Sequence, residues 1–274
     1  MKNDLFYIKC AGGKRQLLEQ YKPYFPKRIE RYFDPFLGGG AIAFYIIQKY
    51  KPKEVYLSDS NVELVNYYNI LKTDIEGLIE ALWVHKNNHN KEYYYKVREY
   101  NPNNLSLVER AARFVYLNKT CFNGLYRENL KGEFNVPIGS YKHPSIFTEL
   151  ELRETSELLQ DIPISLQQFD DVVLYAEKDD FVYFDPPYYP VVKGKSFTSY
   201  TKNSFLGREQ EQLAWIFRYL DEENEAKVML SNSDTEFIRG LYNMYNIHVI
   251  LARRSINCNG SKRGNITELL ITNY

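Results

Sequence analysis

Cysteine is scarce in this chain: Cys10, Cys121 and Cys258 stand far apart and form no Cys-x-x-Cys pair. That argues against a disulfide framework and against a zinc site, and a reducing cytoplasm is the simpler setting. No metal is expected. The N-terminus has no long apolar run, so neither a signal peptide nor a membrane span is expected. An excess of basic residues is missing too. Lys+Arg and Asp+Glu are 35 each in 274 residues, so the overall charge gives no support to nucleic-acid binding. The basic residues are unevenly spread, however. Lys9, Lys14, Arg15, Lys119, Arg127, Lys131, Lys142, Lys193, Lys195, Arg253, Arg254, Lys262 and Arg263 fall near the motif-bearing segments. Acids gather at 149–157, 170–180 and 221–225, a pattern of solvated helix faces. The length suits one large domain, or a catalytic domain with an insertion. Tyrosine is abundant, at 25 residues, and many are expected half-buried with their hydroxyls at the surface.

The most informative stretch is Phe181-Val182-Tyr183-Phe184-Asp185-Pro186-Pro187-Tyr188. A short apolar run reads as a strand buried on both faces of a parallel sheet. Prolines lack N–H donors and end the ladder. Asp185 therefore sits at the carboxyl end of a central strand, where open α/β sheets bind ligands. A strand followed by Asp-Pro alone would decide nothing. Asp-Pro-Pro-Tyr suits methylation of an exocyclic amino group, whose lone pair is delocalised into the ring. A carboxylate and a backbone carbonyl accepting its hydrogens would localise that lone pair and stabilise developing positive charge. The aromatic residue would stack on an extruded base.

A second motif lies at residues 31–44. A strand runs into Gly38-Gly39-Gly40 and then a helix to about Tyr50; Gly38, Gly40 and Ala43 satisfy G-x-G-x-x-A. The next strand, 54–58, ends at Asp59, 19 residues past Gly40, near where such folds keep a ribose-binding carboxylate. These features point to a cofactor with a ribose, and nicotinamide dinucleotide and S-adenosylmethionine compete. At the N-terminus an extended piece meets Gly12-Gly13 before a helical pattern at Leu17, Leu18 and Tyr21; taken alone, an ordinary loop explains it.

Helices are expected at 61–72, 75–88, 92–100 and 107–119, with no strand among them, as in an inserted helical subdomain. Two strand-like runs then flank 129–132, as in a hairpin. In it Asn, Arg, Lys and Tyr alternate with apolar residues, a mixture that suits base edges and stacks, although a polar surface hairpin has the same look. Further on, a helix at 149–160, strands at 163–166 and 227–231, a helix at 208–220, a capping box at Ser233 and Glu236, and two β-rich runs at 247–252 and 267–272 are expected. The polar loop 189–206 and the basic loop 253–264 are candidate binding loops.

Together these residues resemble the Dam-like DNA adenine-N6 methyltransferase family of the GATC type. The matching pieces are Ala11-Gly12-Gly13-Lys14, Asp34-Pro35-Phe36-Leu37-Gly38-Gly39-Gly40, Leu117-Asn118, 122–127, 132–137, Asp185 to Tyr188 and Ile266-Thr267-Glu268. The resemblance implies an α/β, Rossmann-like class I methyltransferase sheet of seven strands with the last antiparallel. It implies a catalytic domain at 1–60 and 161–274, and a DNA target-recognition insertion at 61–160. Asp185, Pro186, Pro187 and Tyr188 would be catalytic. Cys10, Lys14, Phe36, Gly38, Gly40, Asp59, Phe169 and Asp185 would hold S-adenosyl-L-methionine. Lys9, Asn123, Leu125, Arg127, Pro137 and Tyr141 would face double-stranded DNA. Two departures bear on cofactor contact. Cys10 stands where relatives often have Trp, and Gln168 where many have Asp, with Asp170 as a possible substitute.

The expected activity is methyl transfer to N6 of a flipped adenine in duplex DNA, in GATC, by a cytoplasmic enzyme with no membrane or protein partner. The alternatives are an amino-methyltransferase on RNA or cytosine N4, a nicotinamide-dependent oxidoreductase resting only on the glycine motif, and a non-catalytic DNA-binding protein of the same fold.

Overall fold

The computed structural model describes residues 5–10, 12–129, 132–191, 205–253 and 265–274. The strands are Arg31–Asp34 (β1), Glu54–Asp59 (β2), Ile164–Leu166 (β3), Phe181–Phe184 (β4), Lys227–Ser233 (β5), Asn246–Arg253 (β6) and Asn265–Thr272 (β7). They form one seven-stranded sheet in the order β3-β2-β1-β4-β5-β7-β6. Neighbours from β3 through β5 run parallel, and β7 runs antiparallel between β5 and β6. This is the Rossmann-like methyltransferase sheet that the resemblance implies.

The helices are Leu18–Tyr21 (α1), Ala41–Tyr50 (α2), Val62–Thr73 (α3), Ile75–Asn87 (α4), Lys91–Glu99 (α5), Leu107–Thr120 (α6), Glu149–Leu159 (α7), Gly207–Glu222 (α8) and Glu236–Leu241 (α9). In β4, Phe181 and Tyr183 enter one core, while Val182 and Phe184 enter another. Alternation across a strand buried on both sides produces this. The first core continues from Leu57 and Tyr183 into Leu82, Val97 and Val115 of the inserted helices. The second lies under α8 and α9, through Leu213, Phe217 and Ile238. Local signals fix the inserted helices: Asn61 caps α3, accepting from two backbone N–H groups, and Ser106 with Glu109 forms a capping box on α6.

Several local expectations need correction. After Gly13 the chain makes a 3₁₀ turn, one α turn and a second 3₁₀ turn over Lys22–Tyr24, rather than a regular helix. Pro23 lies in that second turn, and its missing N–H prevents propagation. Ser233 does not cap α9. It stays in β5, paired with Glu268, and Thr235 caps α9 by accepting from the Ile238 N–H. The hairpin arms are not ladders but carry the isolated bridges Cys121–Ile138 and Glu128–Phe134. Many tyrosines are fully buried rather than half-buried. Tyr32, Tyr68, Tyr94 and Tyr183 are examples. Their hydroxyls find internal partners, respectively Asp34, the Gly38 and Val136 carbonyls, and Ser231. Most of the loop 189–206 and of the basic loop 253–264, with Cys258 and Lys131, lies outside the described residues.

Candidate active site

Three strand ends converge at one edge of the sheet. Asp34 ends β1, Asp59 ends β2 and Asp185 follows β4. β1 lies between β2 and β4, so the strand order reverses there. The crevice outside such a switch point is the natural ligand site of an open α/β sheet.

Asp185 is tied down from two directions. Its Oδ1 lies 2.7 Å from Lys14 Nζ and accepts from Ser231 Oγ at 2.9 Å. Ser231 also meets the Tyr183 hydroxyl at 3.0 Å. Lys14 is buried, with only 3% exposure; it donates to the Gly12 carbonyl and lies 4.7 Å from the centre of the Tyr188 ring. The Tyr188 hydroxyl donates to Glu268 at 2.8 Å. The Pro187 carbonyl accepts from Gln210 Nε2, whose own carbonyl oxygen accepts from Asn232. Asn232 in turn accepts from the Tyr189 N–H. These bonds lock the turn after β4, and among the described residues no hydrogen bond goes to the Pro186 carbonyl.

The expected cofactor residues line the same edge. Gly38 N–H donates to Asp59 Oδ2 at 3.0 Å, and Asn61 N–H donates to Oδ1 at 2.9 Å. Burial pushes the Asp59 carboxyl up, and these backbone donors oppose it. Gly40 has φ +75°, and an added Cβ there would meet the Phe44 ring at 2.5 Å. Gly39, in the middle of the glycine loop, lies against the extended N-terminal segment; a Cβ would come 2.7 Å from the Ile8 carbonyl. Phe36 stacks on Phe169 with centroids 5.5 Å apart, forming an aromatic wall. The Cys10 thiol is pushed up to about 12 by burial, with the charges of Asp59 and Asp185 adding to the effect. It is a neutral thiol between two carboxylates. Gln168 is exposed, and Asp170 accepts from Gln212 of α8.

Asp34 is buried at 3% exposure, accepting from the Tyr32 hydroxyl and the Phe36 N–H. Burial raises its carboxyl to about 7, and the Asp185 charge contributes in the same direction. With Lys14 facing Asp185, and Asp59 and Glu268 close by, the edge holds more carboxylates than ammonium groups. This donor set, beside an aromatic wall and a glycine turn, fits a cationic ligand that carries a ribose and a ring.

A second cluster joins the N-terminus to the hairpin. Lys9 N–H donates to Asn118 Oδ1, and Asn118 Nδ2 donates back to the Lys9 carbonyl. Lys9 Nζ donates to the Lys119 carbonyl and lies 4.3 Å from the centre of the Tyr141 ring. Asn123 is exposed with φ 56°. Leu125 packs against the first core, and Pro137 is exposed with its carbonyl accepting from Phe122 N–H. Arg127 is exposed and braced by Asn135 at 2.6 Å. Thus Lys9, Asn123, Leu125, Arg127, Pro137 and Tyr141 share one region, although Lys9 is more than 100 residues from the hairpin.

The family model described as D12 class N6 adenine-specific DNA methyltransferase matches residues 11–256. This chain belongs to that family. The methyltransferase is 47% identical to a type II methyltransferase, M.MjaIII, of Methanocaldococcus jannaschii, over 98% of each chain. It is 41% identical to a type II methyltransferase, M1.LlaDCHI, of Lactococcus lactis subsp. cremoris, and 38% identical to a DNA adenine methylase of Salmonella typhi. Each alignment covers 98% of this chain and 95% of the relative. The methyltransferase is thus an enzyme that modifies N6 of adenine in DNA. Among its described residues no acidic, histidine or cysteine cluster could hold a metal, and no helix is long and apolar enough to cross a membrane.

Sequence reasoning gave no role in the methyltransferase to Ser231, Asn232, Gln210 or Glu268. One signal was available for two of them. Ser231 and Asn232 are polar residues at the carboxyl end of an otherwise apolar strand, both completely buried. Glu268 on β7 lay in the matching piece Ile266-Thr267-Glu268 without a role attached to it, and Gln210 on α8 gave no signal.

Proposed function

We propose that the enzyme transfers a methyl group from S-adenosyl-L-methionine to N6 of an adenine flipped out of duplex DNA at GATC. The observation that carries this reading is the placement of Asp185, with Pro186 and Tyr188 after it, at the same carboxyl edge and switch point as the Gly38 turn that follows β1. When bound, the cofactor supplies a methyl group already activated on a sulfonium. The chain's part is positioning. Lys14 and Ser231 hold the Asp185 carboxylate. Its remaining acceptor capacity and the Pro186 carbonyl accept hydrogen bonds from the two N6 hydrogens, one of which leaves to solvent as a proton once N6 carries the methyl group. That localises the nitrogen lone pair and stabilises positive charge as it develops. Tyr188 stacks on the base, while the closed turn limits water around it. Asp59 retains lone pairs for ribose hydroxyls, and Phe36 with Phe169 offers a face for a ring.

In this reading residues 61–160 choose the target, and residues 1–60 with 161–274 perform the transfer. The Lys9 and Tyr141 cluster places a cation and an aromatic ring beside the hairpin. Such a surface suits a phosphate-lined, base-reading contact. Duplex DNA is favoured over RNA because the hairpin projects Asn123 and Arg127, side chains that can read major-groove edges. The relatives' names include both type II methyltransferases and DNA adenine methylases. A restriction partner and a stand-alone role are therefore both compatible with the site. The free thiols Cys10 and Cys121 accord with a reducing cytoplasm.

Plasmid DNA lacking adenine methylation, incubated with the protein and S-adenosyl-L-methionine, tests the proposal. It should become resistant to a GATC nuclease blocked by N6-methyladenine. Tritium transfer without protection would refute the target. Transfer to RNA in preference to duplex DNA would refute the substrate class.

A further inference from the structure

Among the described residues, the other acids buried as whole side chains have a cation or two donors. Glu63 is paired with Arg110, Asp180 with Arg31, and Asp34 accepts from a hydroxyl and a backbone N–H. Glu268 differs. It is 7% exposed in the middle of β7, between Ile266 and Leu270 on the same face of the strand. Its carboxylate has no ion pair within 4 Å among the described residues, and the Tyr188 hydroxyl is its one hydrogen-bond donor there. Burial raises this carboxyl, and the nearby Lys14 ammonium opposes the rise. An apolar side chain would satisfy this strand position without desolvating a carboxylate. The acid therefore needs a reason beyond packing.

The register supplies one. Glu268 pairs with Ser233 on β5, two residues beyond Ser231, which holds Asp185. The two ends of the motif are thus fastened to adjoining strands: Asp185 to β5 and Tyr188 to β7. Lys14 lies between them, against the Asp185 carboxylate and over the Tyr188 ring. We propose that Glu268 is a positioning residue for methyl transfer, fixing the Tyr188 ring by its hydroxyl so that an extruded base meets a pre-set stacking face. This rests on the function proposed above and adds to it a residue outside the Asp-Pro-Pro-Tyr motif. A Tyr ring without the tether would keep two soft side-chain torsions, and the base would have to order it on arrival.

The test is a double-mutant cycle with two readouts. Steady-state methyl transfer to a duplex GATC oligonucleotide gives kcat and KM. The emission of 2-aminopurine in place of the target adenine reports stacking without turnover. Glu268→Leu should lower kcat about tenfold, with the KM for DNA little changed, on the scale of one lost hydrogen bond to a charged group. Tyr188→Phe keeps the ring and removes the hydroxyl, and should match that loss. Adding Glu268→Leu to Tyr188→Phe should then cost little more, because both remove one interaction. Glu268→Gln still accepts from the hydroxyl and should stay within about threefold of wild type. The 2-aminopurine emission should change alike in Glu268→Leu and Tyr188→Phe. Independent, multiplying losses would overturn the proposal, as would wild-type kcat in Glu268→Leu or a Glu268→Gln loss equal to that of Glu268→Leu. Wild-type transfer in the same assay judges the underlying reading, while the emission of the variants judges the tether by itself.

Discussion

At the carboxyl edge of the sheet Lys14, Asp34 and Glu268 are buried and hydrogen-bonded within the protein, whereas in the hairpin 121–139 Arg127 and Glu133 stand in solvent. Lys14, Asp34 and Glu268 are almost completely buried, and Asp185 is held by an ammonium and a hydroxyl. Arg127, Asn123 and Pro137 are exposed, and two isolated bridges connect the hairpin arms. The difference follows the two tasks proposed above. Stabilising charge that develops in a reaction needs dipoles fixed beforehand, in a place with little water. Reading a duplex needs groups that reach outward and settle against bases and phosphates. Even so, the regions are joined at one point. Asn118 and Lys9 exchange two hydrogen bonds, so the N-terminal segment that carries Lys14 also carries a residue of the proposed reading surface.

Substitutions on the two sides should therefore fail differently. The largest effect is expected for Asp185→Asn, which keeps the shape and removes the charge. Turnover should fall by roughly 10²–10³, the range for losing one preorganised electrostatic contact, with duplex binding retained. A tritium assay beside a gel-shift titration measures both, and near-normal transfer would erase the distinction drawn for the pocket. Arg127→Ala should act the other way. Discrimination between GATC and sites altered by one base should relax by about 1–3 kcal/mol, with S-adenosylmethionine binding unchanged. Its brace to Asn135 is exposed, so folding stability should move by less than about 0.5 kcal/mol. Loss of cofactor binding in calorimetry would show the hairpin and pocket to be one unit.

The smallest effect concerns Asp34 and sharpens the comparison through pH. Its folded carboxyl is raised to about 7, above the ordinary value near 3.8 of the unfolded chain. Below about pH 4 both states hold the proton, and there is no penalty. Between about pH 4 and 7 the unfolded chain releases the proton and the folded one keeps it, so the group destabilises progressively as pH rises. Asp34→Asn, which cannot ionise, should gain thermal stability relative to wild type across that window and hold a constant gap above it. Melting curves from pH 4.5 to 8 check this, and a gap that narrows with rising pH would contradict it.

Most of the frame was legible in the residues. The apolar run 181–184, ended by two prolines, located β4, and the spacing from Gly40 to Asp59 located β2 and the turn that Asp59 braces. Helix bounds in the insertion agree within about a residue because caps such as Asn61 and Ser106 act locally. Where reading failed, a distant partner had prevailed. Ser233 looked like a helix cap, but pairing with β7 keeps it in the sheet. Tyr68 and Tyr94, expected with their hydroxyls at the surface, are buried because carbonyls of distant segments accept from them, and Tyr32 because Asp34 of its own strand does.

By itself the sequence determined the element types, the glycine turn and the Asp-Pro-Pro-Tyr motif, because periodicity, proline chemistry and glycine's backbone freedom act between near neighbours. The tertiary structure alone decided that Lys14 and Ser231 clasp Asp185, that Lys9 lies beside Tyr141, and that Glu268 reaches Tyr188. Those contacts depend on strand order and on the register of β7 between β5 and β6. A one-residue slip in that register would turn Glu268 to the opposite face of the sheet, so its place is fixed by the packing of the sheet as a whole.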